Sequence, residues 1–139
     1  MSVVLDANAL IVLALDPARA PAVEARLREW RDTEEELHAP ELQRYEAANA
    51  LARAVAARQL PASEVTAAWD IITAVPVILH RLENGSAVVE MAQRLKRQSA
   101  YDAAYLVLAD RLGADLWTLD GPLARNAGSR GLSVRLIET

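Results

Sequence analysis

Three aspartates at the ends of predicted structural elements are the residues of this chain best placed to do chemistry. Asp6 follows the apolar run 3–5, and Asp120 follows the run 116–119. Unbroken apolar runs rich in β-branched residues indicate strands buried on both faces, as in parallel sheets. Asp102 begins a strongly apolar helical pattern. Because the carboxyl ends of parallel strands share the edge of the sheet where ligands bind, we predict that these three carboxylates converge there.

A cluster of carboxylates at one edge predicts a site for a divalent cation. Like charges packed together raise one another's pKa and destabilise a fold unless a cation neutralises them. The chain has no cysteine and only two histidines. Hard carboxylate oxygens without sulfur or imidazole favour Mg²⁺, with Mn²⁺ as a substitute, over zinc.

Each aspartate also has a purely structural interpretation. Asp6 precedes a predicted helix and could be its N-cap. Ser99-x-x-Asp102 matches a capping box, in which the carboxylate closes the first helical turn. Asp120 opens an Asp-Gly-Pro sequence that is typical of a turn. Capping and metal binding are compatible for Asp102, since the helix dipole keeps a carboxylate in the first turn ionised.

Glu46 lies beyond the first turn of its predicted helix and therefore has no capping role. The same helical stripe contains Asn49 and Arg53, a mixed face that could border a cleft. An ordinary solvated glutamate fits the same pattern. The residues alone leave both interpretations open.

The elements that must position these carboxylates alternate along the chain. Strands are predicted at 3–5, 37–39, 77–80, 114–119 and 132–136. Helices are predicted over 7–15, from 17 onward, and over 40–58, 61–74, 87–96, 100–112 and 123–127. This alternation predicts parallel pairing with right-handed crossovers. We expect residues 1–139 to form one domain, a three-layer α/β/α sandwich around a central parallel sheet of about five strands.

Composition narrows the class of protein further. No apolar run approaches the roughly 20 residues that span a bilayer, and no basic stretch leads into an apolar one at the N-terminus. We therefore expect a cytoplasmic protein without a membrane partner. The formal net charge of −4 argues against adhesion to nucleic acid through the overall field. It leaves room for a local basic rim and for a metal that reverses the sign at one site.

Four segments of the chain resemble the PIN-domain ribonucleases, and among them the small VapC-type toxins of toxin–antitoxin pairs. The matching segments, in the family's order and spacing, are 3–10, 40–51, 99–105 and 116–120. The resemblance implies a PIN-like fold with a five-stranded parallel sheet. It places the family's acidic quartet, which is both catalytic and metal-binding, on Asp6, Glu46, Asp102 and Asp120.

The resemblance also gives roles to residues outside the quartet. Asn8 and Thr118 match polar positions beside the metals, where they could orient ligands or water, although ordinary cap and strand roles fit them equally well. Substrate contacts are not defined by the motifs. The basic residues that could bind phosphate are Arg53, Arg94, Lys96, Arg97 and Arg125.

The activity that the resemblance implies is Mg²⁺-dependent cleavage of RNA, with the metal activating a water molecule. It also implies a homodimer and a cognate VapB-like antitoxin. An antitoxin would need an apolar groove. The candidate lining residues on the early helices are Val23, Leu27, Trp30, Trp69, Ile71 and Ile72.

Two other functions compete with this interpretation. One is a catalytically silent PIN-like module that binds RNA or a partner without cutting. The other is a phosphatase of the haloacid-dehalogenase type, which needs a second aspartate two residues after the first, where this chain has Asn8. His38 and His80 lie at strand ends without a serine or cysteine partner in a recognisable setting, so a hydrolase triad is not expected.

Overall fold

The computed structural model describes residues 1–96 and 99–139, in which five parallel strands form one sheet in the order β3-β2-β1-β4-β5. The strands are β1 (Ser2–Leu5), β2 (Glu36–Pro40), β3 (Val77–His80), β4 (Asp115–Thr118) and β5 (Val134–Leu136). The apolar runs of the sequence therefore become strands of a parallel sheet, as predicted, with β5 at an edge.

Seven helices in the described residues connect the strands and cover the two faces of the sheet. They are α1 (Ala7–Leu15), α2 (Ala20–Asp32), α3 (Leu42–Ala56), α4 (Val65–Ala74) after a 3₁₀ turn at Ala62–Glu64, α5 (Gly85–Leu95), α6 (Ala100–Leu112) and α7 (Gly121–Gly128). One core cluster lies under α1, α3 and α4, and a second lies under α6 and α7. The predicted three-layer α/β/α arrangement is confirmed. None of the helices described is both long and apolar enough to cross a bilayer.

The strand order reverses direction between β1 and β4. From β1 the chain moves outward through β2 and β3, and it then returns to the other side of β1 to form β4 and β5. The backbone N–H of Asp6 donates to the carbonyl of Trp117 at 3.0 Å, so the pairing of β1 with β4 continues to Asp6. Open α/β sheets bind ligands at such a switch point. Asp6 and the residues after β4 therefore lie together where a ligand is expected.

Three prolines, Pro17, Pro40 and Pro61, lie outside the helices that the sequence predicted for them. Pro61 is extended and precedes the 3₁₀ turn at Ala62–Glu64, so α4 begins only at Val65. Pro40 ends β2 and lies opposite His80 of β3, and the next amide, of Glu41, donates to the carbonyl of His80 at 2.8 Å. Helix α3 therefore begins only at Leu42. The fixed backbone angle of proline suits the end of a strand as well as a first helical turn, and strand pairing decides between them here.

The third proline displaced from its prediction is Pro17. The carboxylate of Asp16 accepts the backbone N–H groups of Ala18 and Arg19 at 3.2 Å each, and it pairs with the side chain of Arg19. Asp16 therefore stabilises a turn instead of capping the next helix. Helix α2 begins at Ala20.

Gln43 fastens the first turn of α3 to the carboxyl end of β1. Its side chain is fully buried, and Nε2 donates to the carbonyl of Leu5 at 2.7 Å. Leu5 immediately precedes Asp6. This contact fixes how α3 approaches the residue at the switch point, and no pattern in the sequence indicated it.

Candidate active site

Asp6 is held by side chains that follow it on α1 and by the end of β4. It is only 8% exposed, and its Oδ2 accepts hydrogen bonds from Thr118 Oγ1 at 2.8 Å and Asn8 Nδ2 at 3.3 Å. Although Asp6 occupies the N-cap position of α1, its side chain makes no capping hydrogen bond to the described backbone. Asp6 is therefore the N-cap residue of α1, as one of the two interpretations predicted, and its carboxylate is directed to Thr118 and Asn8 instead of to the helix backbone.

Asn8 and Thr118 form the rest of this network. Asn8 Nδ2 also donates to Thr118 Oγ1 at 2.9 Å, and Asn8 Oδ1 accepts the backbone N–H of Leu119 at 3.1 Å. Thr118 Oγ1 further accepts the backbone N–H of Asp120 at 3.0 Å. The two polar residues thus tie the ends of β1 and β4 together and fix the orientation of the Asp6 carboxylate.

Glu46 is held toward α6 by a hydrogen bond from a buried tyrosine. Tyr105 is 1% exposed, and its hydroxyl donates to Glu46 Oε1 at 2.6 Å. Burial and the charges of Asp6 and Glu46 raise the pKa of Tyr105, so the hydroxyl stays protonated and remains a donor. Glu46 is therefore not a freely solvated glutamate.

No sequence pattern assigned a role to Tyr105. The available signal was its position three residues after Asp102, which places both side chains on one face of α6. A tyrosine in an otherwise apolar helix stripe needs a partner for its hydroxyl. That requirement would have pointed to a nearby acceptor without saying which one.

Asp102 and Asp120 both lie at helix starts, as the sequence indicated. Ser99 Oγ accepts the backbone N–H of Asp102 at 3.2 Å, which is one half of the predicted capping box. Asp120 Oδ1 accepts the backbone N–H of Leu123 at 3.0 Å and caps α7. Among the residues that the structure describes, the other Asp120 oxygen forms no hydrogen bond. Asp120 can therefore cap a helix and still offer an oxygen to a ligand.

The four carboxylates interact electrostatically with one another. Burial raises the pKa of Asp6 to about 7, and the charges of Glu46 and Asp102 act in the same direction, against the hydrogen bond from Thr118. Burial and the charge of Asp102 raise the pKa of Glu46. Burial and the charge of Asp120 raise the pKa of Asp102. The charge of Asp120 thus acts on Asp102, that of Asp102 on Glu46 and Asp6, and that of Glu46 on Asp6. These interactions connect all four carboxylates at the carboxyl edge of the sheet.

The chemistry of this donor set fits a hard divalent cation. All four side chains offer carboxylate oxygens, and their mutual repulsion is the kind that a bound cation relieves. Within residues 1–96 and 99–139, no three His, Asp or Glu side chains form a group that could hold a metal ion as it stands. Mg²⁺ retains several of its own water ligands, so a protein site for it does not require every carboxylate to bind directly.

The fold and the site together define a class of proteins: parallel α/β domains in which acidic side chains form a ligand site at the switch point of the sheet. A family model described as "PIN domain" matches residues 3–129, and the chain belongs to this family. PIN domains are generally nucleases, and they typically bind divalent metals.

One solved structure illustrates the shared fold. PAE2754 from Pyrobaculum aerophilum superposes with a TM-score of 0.67 and 24% sequence identity, over 91% of this chain and 79% of that chain. No curated protein matches the chain significantly.

The raised pKa of Asp6 predicts how stability depends on pH without metal. An unfolded aspartate loses its proton near pH 3.8, whereas the folded protein retains the Asp6 proton to about pH 7. Stability therefore falls as pH rises through this interval. Asp6→Asn keeps an oxygen for Thr118 and Asn8 but has no charge. In EDTA at pH 8 it should be more stable than the wild type by about 1 to 3 kcal/mol, with a smaller difference at pH 4.

Urea denaturation at the two pH values measures this difference in the free energy of unfolding. The matched control is Asp70→Asn, which changes an exposed aspartate on α4. It should leave the pH dependence unchanged. An Asp6→Asn advantage of the same size at pH 4 and pH 8 would contradict the electrostatic interpretation.

Proposed function

We propose that this PIN domain, extending over residues 1–139, is a Mg²⁺-dependent endoribonuclease and the toxin component of a type II toxin–antitoxin pair. The observation that carries the proposal is that burial and neighbouring carboxylate charges, that of Asp120 among them, raise the pKa values of Asp6, Glu46 and Asp102 at the carboxyl edge of the sheet. Such an arrangement is costly to the fold and is typical of a functional site. The family assignment also argues against the haloacid-dehalogenase alternative.

The proposed roles follow from the contacts of each side chain. Asp6 and Asp102 hold the metal, while Glu46 and Asp120 bind it directly or through water. Asn8 and Thr118 keep the Asp6 carboxylate oriented, and Tyr105 does the same for Glu46. When bound, the divalent ion would lower the pKa of a bound water and stabilise charge on the leaving oxygen.

The two histidines do not join the carboxylates, which supports Mg²⁺ or Mn²⁺ over zinc. His38 Nδ1 and His80 Nε2 lie 2.8 Å apart and share a hydrogen bond across β2 and β3. His80 Nδ1 lies 3.1 Å from a guanidinium nitrogen of Arg111, on the side away from His38. The donors left for a metal are oxygens, and oxygen sites select Mg²⁺ or Mn²⁺.

Loss of either proposed metal ligand should abolish RNA cleavage. Asp6→Asn and Asp102→Asn should each lower the Mg²⁺-dependent rate by about a hundredfold or more, because each removes charge that holds the ion. Cleavage of labelled RNA by purified protein, with and without EDTA, measures the effect. Asp70→Asn serves as the control and should cleave at the wild-type rate. Unchanged cleavage by either site variant would falsify the assignment.

A catalytically silent module is the second candidate. It is favoured by one observation, that no three acidic or histidine side chains in the described part of the chain form a group that could hold a metal ion as it stands. Such a module would bind RNA or a partner with no cleavage in either Mg²⁺ or Mn²⁺. The same cleavage assay therefore decides between the two candidates.

An apolar groove between α3 and α4 of this protein is the proposed binding site for the antitoxin. The groove has a volume of about 280 Å³ and is apolar; its lining residues are Ala48, Leu51, Ala52, Val55, Val65 and Trp69. Small alanines on one wall allow an apolar helix or extended segment to approach closely. Of the six lining residues predicted from the sequence, only Trp69 lies there. Val23, Trp30 and Ile72 are buried in the core instead.

A homodimer is also part of the proposal, and the edge of the sheet at β3 supports it. Ile78 and Leu79 point to opposite faces of this edge strand and are 45% and 40% exposed. Leu82 and Tyr101, both exposed, line a second groove of about 700 Å³ beside β3. Exposed apolar side chains along a sheet edge are typical of an interface.

Filling the groove between α3 and α4 with charge should prevent antitoxin binding. Ala52 is exposed on α3, so Ala52→Glu places a carboxylate in the groove without disturbing the core. We expect this variant to cleave RNA but no longer to co-purify with the small protein encoded by the adjacent upstream reading frame. Ala67→Glu, on the exposed part of α4 outside the groove lining, should still co-purify. Retention of the partner by Ala52→Glu, or absence of such a reading frame, would count against this surface or the toxin role respectively.

A further inference from the structure

Arg125, one of the five basic residues named from the sequence as possible phosphate contacts, differs from the other described ones in the position of its guanidinium. The guanidinium of Arg94 is engaged with the carbonyl of Arg130 at 2.8 Å. Arg53 lies about two turns beyond Glu46 on α3, and Lys96 follows the last turn of α5. Arg97 lies outside the described residues. Of the four that the structure describes, Arg125 is the one whose head group lies against the residue that follows a proposed metal ligand, Gly121 after Asp120.

The guanidinium of Arg125 packs over Gly121, next to Asp120. A β-carbon at position 121 would lie 3.0 Å from Arg125 Nη1, so the glycine leaves the space that the guanidinium uses. Side chains on a helix point back toward its N-terminus. Arg125 therefore reaches from the last turn of α7 to its first turn. The result is a positive charge at the edge of the sheet where the four carboxylates meet.

This guanidinium is not used to neutralise the carboxylates. Among residues 1–96 and 99–139, the guanidinium of Arg125 forms no ion pair and no hydrogen bond. By contrast, Arg19, Arg26, Arg111 and Arg135 each pair with an acidic side chain. A cation near the first turn of a helix is also unfavourable in the field of the helix dipole. Neither ion pairing nor the stability of α7 explains the position of the charge.

We propose that Arg125 binds a backbone phosphate of the RNA strand beside the scissile bond, an inference that rests on the proposed ribonuclease function. A guanidinium presents two parallel N–H groups that match two phosphate oxygens. The acidic edge repels the RNA backbone, and the protein carries a net charge of −4. A fixed cation beside Asp120 offsets that repulsion at the point where the backbone must approach.

The test measures RNA binding separately from cleavage. A short fluorescein-labelled single-stranded RNA of mixed sequence is titrated with protein in EDTA, and fluorescence anisotropy gives Kd over a range of salt concentrations. Arg125→Ala should bind about tenfold more weakly, and the slope of log Kd against log salt should fall by roughly 0.7 to 1, because one phosphate contact is lost. Arg125→Lys should keep the slope with intermediate affinity.

Two further variants separate a phosphate contact from a general effect. Arg31→Ala removes an exposed arginine from the last turn of α2. This turn precedes the amino end of β2, whereas the four carboxylates lie at the carboxyl ends of the strands. Arg31→Ala should leave Kd and slope unchanged. Gly121→Ala places a methyl group 3.0 Å from Arg125 Nη1, so the guanidinium must move away from its present position. It should weaken binding in the wild type and have no further effect in Arg125→Ala.

The outcomes distinguish this inference from the proposed function. Wild-type affinity and slope in Arg125→Ala would overturn it, as would weaker binding with an unchanged slope in a variant that melts like the wild type. A wild-type protein that binds no RNA would overturn it too. RNA binding that depends on Arg125, without cleavage in Mg²⁺, would support the contact and refute the nuclease.

Discussion

The burial of the Asp6 carboxylate among other carboxylates is the constraint on which the rest of the structure depends. Removing an ionised carboxylate from water costs several kcal/mol unless hydrogen bonds or opposite charges compensate for it. Thr118 and Asn8 supply hydrogen bonds, yet Glu46 and Asp102 add repulsion, and the pKa of Asp6 stays raised to about 7. At neutral pH the Asp6 carboxylate is therefore stabilised by binding either a proton or a metal cation. A site that is to bind a divalent ion needs this property.

The fold supplies this arrangement through its topology and a few buried polar contacts. The strand order puts the ends of β1 and β4 side by side, which brings Asp6 next to Thr118. The contact of Gln43 with the carbonyl of Leu5 fixes the start of α3, and Tyr105 fixes Glu46 one turn further on. These contacts lie between elements that are distant in sequence. The site is therefore formed only when the sheet and both helix layers are in place.

Much of the fold could be predicted because its signals are local. Apolar runs identified the strands, and the helix predicted over 100–112 has those bounds in the structure, where Gly113 ends it in the left-handed conformation with φ of 62°. The convergence of Asp6, Asp102 and Asp120 followed from the rule that parallel strands share a carboxyl edge. The prolines at 17, 40 and 61 were assigned to helices in which they do not lie, since a fixed φ is compatible with turns, strand ends and first helical turns alike.

The remaining parts of the site depend on partners that no local pattern specifies. Glu46 looked like a surface glutamate and was assigned only through the family resemblance. Tyr105 and Gln43 were missed because their importance lies in single hydrogen bonds to Glu46 and to the carbonyl of Leu5, across distances of 59 and 38 residues. Nothing in the sequence favoured Arg125 over the other four basic residues named as possible phosphate contacts. Its position against Gly121 is visible only in the structure.

Joint binding of a divalent ion by the four carboxylates is the central claim about this protein. Calorimetric titration of the protein with Mn²⁺ at pH 8 tests this directly. The wild type and Asp70→Asn should release or absorb heat on binding at one saturable site, and Asp6→Asn should give no such signal. No binding by the wild type, or equal binding by Asp6→Asn, would contradict the central claim.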